Sequence, residues 1–272
     1  MKINIIGSGT WGTALGCLVE SKNPKNEILV WQRNPSKSNE ISKERVHPNL
    51  KNYKISENIS FTSDLNALNN DALTIIAIPS SSISDVFSKL PTNNSNYIIA
   101  SKGFDIESGL LTAELLNTNY NIKNDKIAVL SGPNHAEEVV MGKASAAVVA
   151  SVNSNYSEDL QALFSSDKFR VYTSSDVVGV QIGAAVKNVI AIASGLCVGL
   201  ELGDNAQAAL VSRGMNEIMT LNRIYKMKTQ TLYGLSGLGD LIATCYSEHS
   251  RNRQLGILIA KGYSLDESKN KI

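Results

Sequence analysis

KINIIGSGTWG, residues 2–12, decides the fold. Its first five residues read as a short buried strand. Gly7, Gly9 and Gly12 follow at once as GxGxxG, ahead of a helical stretch over residues 13–19. Each glycine answers a physical need. One makes the tight turn, one lets the backbone approach a pyrophosphate, and one allows close packing of helix on strand, with the helix N-terminus facing the phosphates. Strand, loop and helix in this order predict a dinucleotide site; the competing reading is an ordinary glycine turn.

Working outward, a second strand over residues 27–31 should end where a carboxylate would hold the ribose 2′-hydroxyl of NAD. Gln32-Arg33-Asn34 stands there instead. An arginine without a carboxylate suits a 2′-phosphate, so NADP(H) is favoured and NAD(H) permitted; the plainer alternative is a solvated turn arginine. Residues 35–54, including His47-Pro48, are polar and lysine-rich, and are expected to loop over the surface with a broken helix and no assignable chemistry. Apolar runs at 59–62, 72–78, 97–100 and 127–130 then alternate with helical segments near Leu65 and over 82–90 and 108–116, which predicts a parallel sheet covered on both faces. Further strands over 144–152 and 169–173 could run in either direction. Ligands in such sheets lie beyond the carboxyl ends of the strands. That rule selects loops 79–81, 101–103 and 131–134, with Lys102 between a strand end and a glycine. His135 opens a helix as HAEE, without the second histidine a metal site needs, so no metal is expected.

After Asp176 the strand pattern stops. VVGVQIGAAVKNVIAIASGLCVGLEL, residues 177–202, is apolar or small on nearly every side, as in a helix buried all round, and is broken by Lys187. An isolated buried ammonium costs several kcal/mol, so Lys187 must pair, snorkel or serve a site. Gln181, Lys187 and Asn188 inside the run, and the absence of a flanking basic cluster, argue against a membrane span. Glycine-rich YGLSGLGD, residues 233–240, reads as a turn with Asp240 capping the next helix. Ser250-Arg251-Asn252-Arg253 reads either as a small-phosphate site at a helix N-terminus or as an ordinary capped end. The predicted architecture is α/β: a Rossmann-type doubly wound sheet over residues 1–176, followed by an all-α domain over 177–272, meeting near Asp176.

Composition narrows the chemistry. The 272 residues are 43% hydrophobic and 19% charged with net charge +1, which indicates neither disorder nor a nucleic-acid surface. An anionic substrate must therefore be recognised locally. Cys17, Cys197 and Cys245 lie far apart without a CxxC, and the N-terminus has no signal-peptide pattern, so a cytoplasmic setting is expected. Sequons at Asn58 and Asn93 carry no meaning without secretion.

Taken together, GSGTWGTAL at 7–15, ASKGF at 100–104, SGPNHAEEV at 131–139, FRVYTSSDVVGVQIGAAVKNVIAIASG at 169–195, GLSGLGDLIATC at 234–245 and SRNRQLG at 250–256 resemble the bacterial NAD(P)-dependent glycerol-3-phosphate dehydrogenases. The resemblance spans essentially the whole chain in order. It implies interconversion of dihydroxyacetone phosphate and sn-glycerol 3-phosphate for glycerophospholipid synthesis, and is compatible with a homodimer. It also implies a catalytic Lys187 assisted by Lys102 and Asp240. Substrate contacts would come from Lys102, Gly132, Asn134, Lys187, Asp240, Ser250, Arg251 and Asn252. Cofactor contacts would come from Gly7, Gly9, Thr10, Trp11, Gly12, Arg33, Lys102, Ala136 and Arg251. Asn134 and His135 stand where the family has threonine and phenylalanine, and the family continues for several tens of residues beyond Ile272, so the helical domain is expected to be incomplete. Two other readings share the residues: a reductase of another small hydroxy or keto acid, and an inactive nucleotide-binding or oligomerisation module.

Overall fold

A computed structural model of the chain describes residues 1–90 and 95–272, so the sequon at Asn93 begins outside the described residues. The chain forms two compact units: Met1–Leu130 with Asn134–Val177, and Ser131–Pro133 with Val178–Ile272.

The first unit contains β1 (Lys2–Ile6), α1 (Thr10–Lys22), β2 (Glu27–Trp31), α2 (Pro35–Glu44), β3 (Ile59–Thr62), β4 (Leu73–Ile76), α3 (Ile83–Phe87), β5 (Tyr97–Ile99), α4 (Thr112–Tyr120), β6 (Ile127–Ser131), α5 (Ala136–Val140), β7 (Ser145–Ser151), α6 (Ser154–Phe164) and β8 (Phe169–Ser174). They build one eight-stranded sheet in the order β3-β2-β1-β4-β5-β6-β7-β8. β1 pairs in parallel with β2 and with β4, so the chain winds outward one way, returns beside its first strand and winds out the other way. Dinucleotides bind at such a switch point, beyond the carboxyl end of the first strand. The late strands β7 and β8, whose direction the sequence left open, are parallel to each other. Ile3, Ile5, Ile28, Ile75, Ile98 and Phe169 form the core around α1 and α6 and are almost wholly inaccessible. Burying each such side chain contributes about 1.5–3 kcal/mol.

Helix α1 runs three residues further at each end than the sequence suggested, because tertiary packing extends it over the sheet. Its seat depends on Gly12, where a Cβ would fall 2.0 Å from the Gly7 carbonyl oxygen. The polar stretch after α2 is the clearest departure from expectation. Arg45 is only 6% exposed and lies in the left-handed region at φ 57°. Its guanidinium donates to the carbonyls of Ile55, Ser42, Ser56 and Ile59 and so ties the return of the chain into β3. His47, Leu50 and Ile55 are buried as well. Residues 45–55 are therefore packed structure, held by side-chain to backbone bonds that hydrophobic periodicity does not reveal.

The second unit is helical: α7 (Val177–Gly199), α8 (Asp204–Thr220), α9 (Asn222–Tyr225), α10 (Thr229–Tyr233), α11 (Asp240–Tyr246), α12 (Arg251–Ala260) and α13 (Leu265–Lys271). The expected turn at 233–240 is instead a π-helical turn, Leu235–Gly239, leading directly into α11. Glycine acts here as a spacer, since a Cβ at Gly237 would fall 2.0 Å from the Leu232 carbonyl oxygen. Nor is α7 buried all round: Val189 is 72% exposed. Its length and composition would suffice for a membrane span, but it carries Gln181 and Lys187 on buried positions.

Gly12→Ala should either unseat α1 or distort the glycine loop, lowering stability by about 1–3 kcal/mol as overpacking does. Urea unfolding of parent and variant measures this; an unchanged midpoint would contradict the packing described.

Candidate functional site

The glycine loop presents an anion site built from backbone. Gly9 caps α1 without any side-chain hydrogen bond to the helix, and nothing lies within 4 Å of where its Cβ would stand. The first N–H groups of a thirteen-residue helix are thus left for an outside acceptor, on the positive end of its dipole. Thr10 and Trp11 begin the helix, and Trp11 packs against Leu50 and Ala136 as part of a small apolar cluster. A dinucleotide pyrophosphate fits this cradle.

Arg33 lies two residues past β2. Its guanidinium pairs with Asp85 of α3 at 3.2 Å, and the side chains are 58% and 50% exposed. A hydrogen bond from Lys89, and then the charges of Lys89 and Arg33, hold the Asp85 carboxyl below its ordinary pKa. Lys102 is half-buried in the loop after β5, followed by Gly103 in a left-handed conformation at φ 134°. Asn134 turns its side-chain amide to the Ala146 carbonyl at 2.9 Å, while its Oδ1 is buried without a hydrogen bond. That amide is taken up by β7, which leaves the backbone of the loop as the part able to face a ligand. Ala136 is the first residue of α5, and His135 is its N-cap, as the sequence suggested.

The helical unit carries the densest chemistry. Lys187 of α7 donates from Nζ to Asp240 Oδ1 at 2.5 Å and to Thr244 Oγ1 at 2.7 Å. The two charged side chains are 7% and 3% exposed. Thr244 in turn donates to the Asp240 carbonyl at 2.6 Å, so α11 presents carboxylate and hydroxyl as one rigid pair one helical turn apart. The depth of this contact is set by Gly183, one turn before Lys187 on the same face. A Cβ there would lie 2.6 Å from the Ser236 carbonyl oxygen, so only a glycine lets the π-turn sit against α7. Asp240 is therefore the first residue of α11 with its carboxylate turned onto Lys187, rather than a simple helix cap. The neighbour that Lys187 finds in this unit is an anion. Thr244 was missed in the sequence; its only signal was the i, i+4 spacing from Asp240 on a helix hidden by the glycines.

At the start of α12, Ser250 Oγ accepts from the Arg253 N–H at 3.2 Å as N-cap, leaving its own hydroxyl proton to donate outward. Arg251 is exposed and Asn252 half-buried beside it, while Nε of Arg253 is buried without a hydrogen bond. Cys245, next to Thr244, links the two clusters: burial pushes its thiol up to about 11, while the charges of Lys187 and Arg253 act in the opposite direction. The helix N-terminus and its guanidinium groups can take a small dianion; the buried lysine can give up a proton as the ammonium and take one back as the amine.

The chain is similar to known proteins along its whole length. Residues 2–157 match the family model for the NAD-dependent glycerol-3-phosphate dehydrogenase N-terminus, and residues 176–272 match the model for its C-terminus. A glycerol-3-phosphate dehydrogenase [NAD(P)+] of Fusobacterium nucleatum is 40% identical over 277 aligned positions, covering 100% of this chain and 82% of that protein. A protein of the same description from Carboxydothermus hydrogenoformans is 41% identical, with the same coverage. The crystal structure of glycerol-3-phosphate dehydrogenase from Coxiella burnetii superposes with a TM-score of 0.91 at 34% identity, covering 99% of this chain and 83% of that one.

Removing one member of a buried ion pair leaves the other uncompensated, at a cost of about 3–5 kcal/mol. Asp240→Leu should show a loss of that size in denaturant unfolding of the full chain. Adding Lys187→Met to it should recover most of the loss. A double variant no more stable than the single one would contradict the pairing as the source of the cost.

Proposed function

The chain belongs to the NAD-dependent glycerol-3-phosphate dehydrogenase family and is an oxidoreductase that interconverts dihydroxyacetone phosphate and sn-glycerol 3-phosphate, and from that premise we propose how its residues divide the reaction. The family's role is to supply the glycerophospholipid backbone. The observation that carries the assignment is the Lys187 ammonium, gripped by Asp240 and Thr244 at 2.5 and 2.7 Å.

A bound nicotinamide dinucleotide supplies or accepts a hydride. The residues of the chain do the rest. In the reductive direction Lys187 holds a proton at Nζ for the carbonyl oxygen as negative charge develops there, and in the oxidative direction Nζ takes it back from the hydroxyl. Asp240 and Thr244 fix the ammonium in place, so its orientation is settled before substrate arrives. Ser250, Arg251 and Asn252 bind the phosphate through the N-terminus of α12, the guanidinium and the Ser250 hydroxyl. Binding energy at this non-reacting end holds the reacting carbon still. Lys102, Gly132 and the backbone of Asn134 add substrate contacts. Gly7, Gly9, Thr10, Trp11 and Gly12 cradle the pyrophosphate, and Arg33, Lys102, Ala136 and Arg251 complete the dinucleotide contacts.

NADPH is the preferred form in this reading. Arg33 offers a 2′-phosphate its guanidinium, and an exposed ion pair such as Arg33–Asp85 opens at little cost because water takes over both partners. Asp85 beside it tempers the preference and leaves NADH usable. Three free cysteines suit a reducing, cytoplasmic compartment.

With dihydroxyacetone phosphate as substrate, the parent chain should consume NADPH in an absorbance assay, and Lys187→Ala should lower kcat by about 10²–10⁴ while NADPH still binds. Turnover near the parent rate would remove Lys187 from its role. Arg33→Ser should shift the NADPH-to-NADH ratio of kcat/KM by about tenfold toward NADH, the worth of one charge-assisted contact. An unaltered ratio would mean that Arg33 does not read the 2′-phosphate.

A further inference from the structure

Helix α11 is held against α7 at a second place, and nothing in the reaction as assigned uses it. Ser194 lies seven residues after Lys187 on α7, so the two share a face about 10 Å apart along the axis. The Ser194 hydroxyl, wholly buried, donates to the Cys245 carbonyl of α11 at 2.9 Å. Gln207 of α8 is buried too; its Nε2 donates to Ser194 Oγ at 2.8 Å and to the same Cys245 carbonyl at 3.2 Å. That carbonyl stands in the last turn of α11, where the chain becomes extended at Ser247 and helical N–H partners run out. Three groups on three helices thus satisfy one another away from water, an arrangement that permits few alternative packings.

The contact bears on the site because of where Cys245 stands. It follows Thr244, whose hydroxyl accepts from the Lys187 ammonium. Helix α11 has seven residues, too few to keep its place by its own hydrogen bonds, and the π-turn before it contains Gly237 and Gly239. At its head the helix is held by the Lys187–Asp240 ion pair, and that attachment changes with the proton: once Nζ has given its proton to substrate, the charge that attracts the carboxylate is gone. The bonds at Cys245 join neutral groups and do not depend on that proton. We propose that Ser194 and Gln207 are positioning residues for the reaction at Lys187: they fix the C-terminal turn of α11 on α7 and so keep Thr244, and with it Asp240, in place while the charge on Lys187 alternates. The inference rests on the proton-transfer role of Lys187, and its effect falls on kcat rather than on the binding of either ligand.

The test compares the parent full-length chain with Gln207→Met, Ser194→Ala, Thr244→Val and the double variant Gln207→Met with Thr244→Val. Gln207→Met keeps the length of the side chain and removes both bonds from Nε2. Its kcat for reduction of dihydroxyacetone phosphate should fall about tenfold, with both KM values and the NADPH dissociation constant from fluorescence titration nearly unchanged, as a small misplacement felt in the transition state requires. Ser194→Ala should act in the same direction. With the Thr244 hydroxyl gone there is less left to position, so Gln207→Met added to Thr244→Val should cost about threefold or less. Backbone hydrogen exchange over residues 240–246, read by mass spectrometry without substrate, should quicken in Gln207→Met and stay as in the parent over the sheet unit. The inference is overturned if both single variants turn over as the parent does, whatever their urea midpoints, if kcat and NADPH affinity fall together, or if the two losses multiply in full in the double variant. A parent that binds NADPH without reducing dihydroxyacetone phosphate would overturn the assigned reaction; exchange over 240–246 would then decide the clamp on α11, and unaltered exchange would overturn that as well.

Discussion

A lysine in the middle of an apolar helix cannot be left to itself, and the helical unit is arranged around that constraint. The Lys187 ammonium meets a carboxylate and a hydroxyl at hydrogen-bond distance while both charges are nearly sealed from water. Two features make the contact possible. Gly183 lets another backbone stand where a side chain would have been, and the glycine-containing π-turn places Asp240 and Thr244 at the head of α11 with their side chains inward. A buried pair of this kind is weak evidence for stability, because desolvation offsets most of its attraction. The proposed proton transfer gives the pair a chemical reason, since a fixed, dry ammonium is a suitable proton donor for a developing alkoxide.

Backbone geometry plays the corresponding part in the sheet-containing unit. The glycine loop has few side chains with which to define a conformation, yet a pyrophosphate site depends on the direction of its N–H groups. Bonds from outside the motif reach it: Gln32 at the end of β2 donates to Ser8 Oγ, and Asn49, in the segment that Arg45 pins in place, donates to Thr10 Oγ1. Arg45 thus has a structural role that reaches the ligand site. Its guanidinium orders the chain between α2 and β3, and that ordered chain in turn holds the loop. Arg33, by contrast, is solvent-exposed and held only by another exposed charge, so it can exchange partners at little cost.

Much of this was legible before any coordinates. Isoleucine-rich runs such as KINII and LTII are characteristic of strands buried on both faces, and GxGxxG directly after the first of them located the switch point of the sheet. The isolation of Lys187 in an apolar run marked it as costly, and cost is a physical signal that needs no partner to be visible. What could not be read were the residues whose role lies in their geometry. Glycines at 234–239 look like a turn because glycine lowers helix propensity, whereas in the fold they admit a π-turn and a further helix.

The sequence by itself determined most of the element types and the identity of the costly lysine, because hydrophobic periodicity and the expense of burying a charge are local properties of the chain. Tertiary structure alone decided that Asp240 faces Lys187 instead of capping a helix, that Thr244 shares in the grip, and that Asn49 reaches Thr10 at the glycine loop. Those are pairings between residues 39 to 57 positions apart. No periodicity encodes them, since a hydrogen bond depends on where backbones pack to within a fraction of an ångström, and that distance is set by the whole fold.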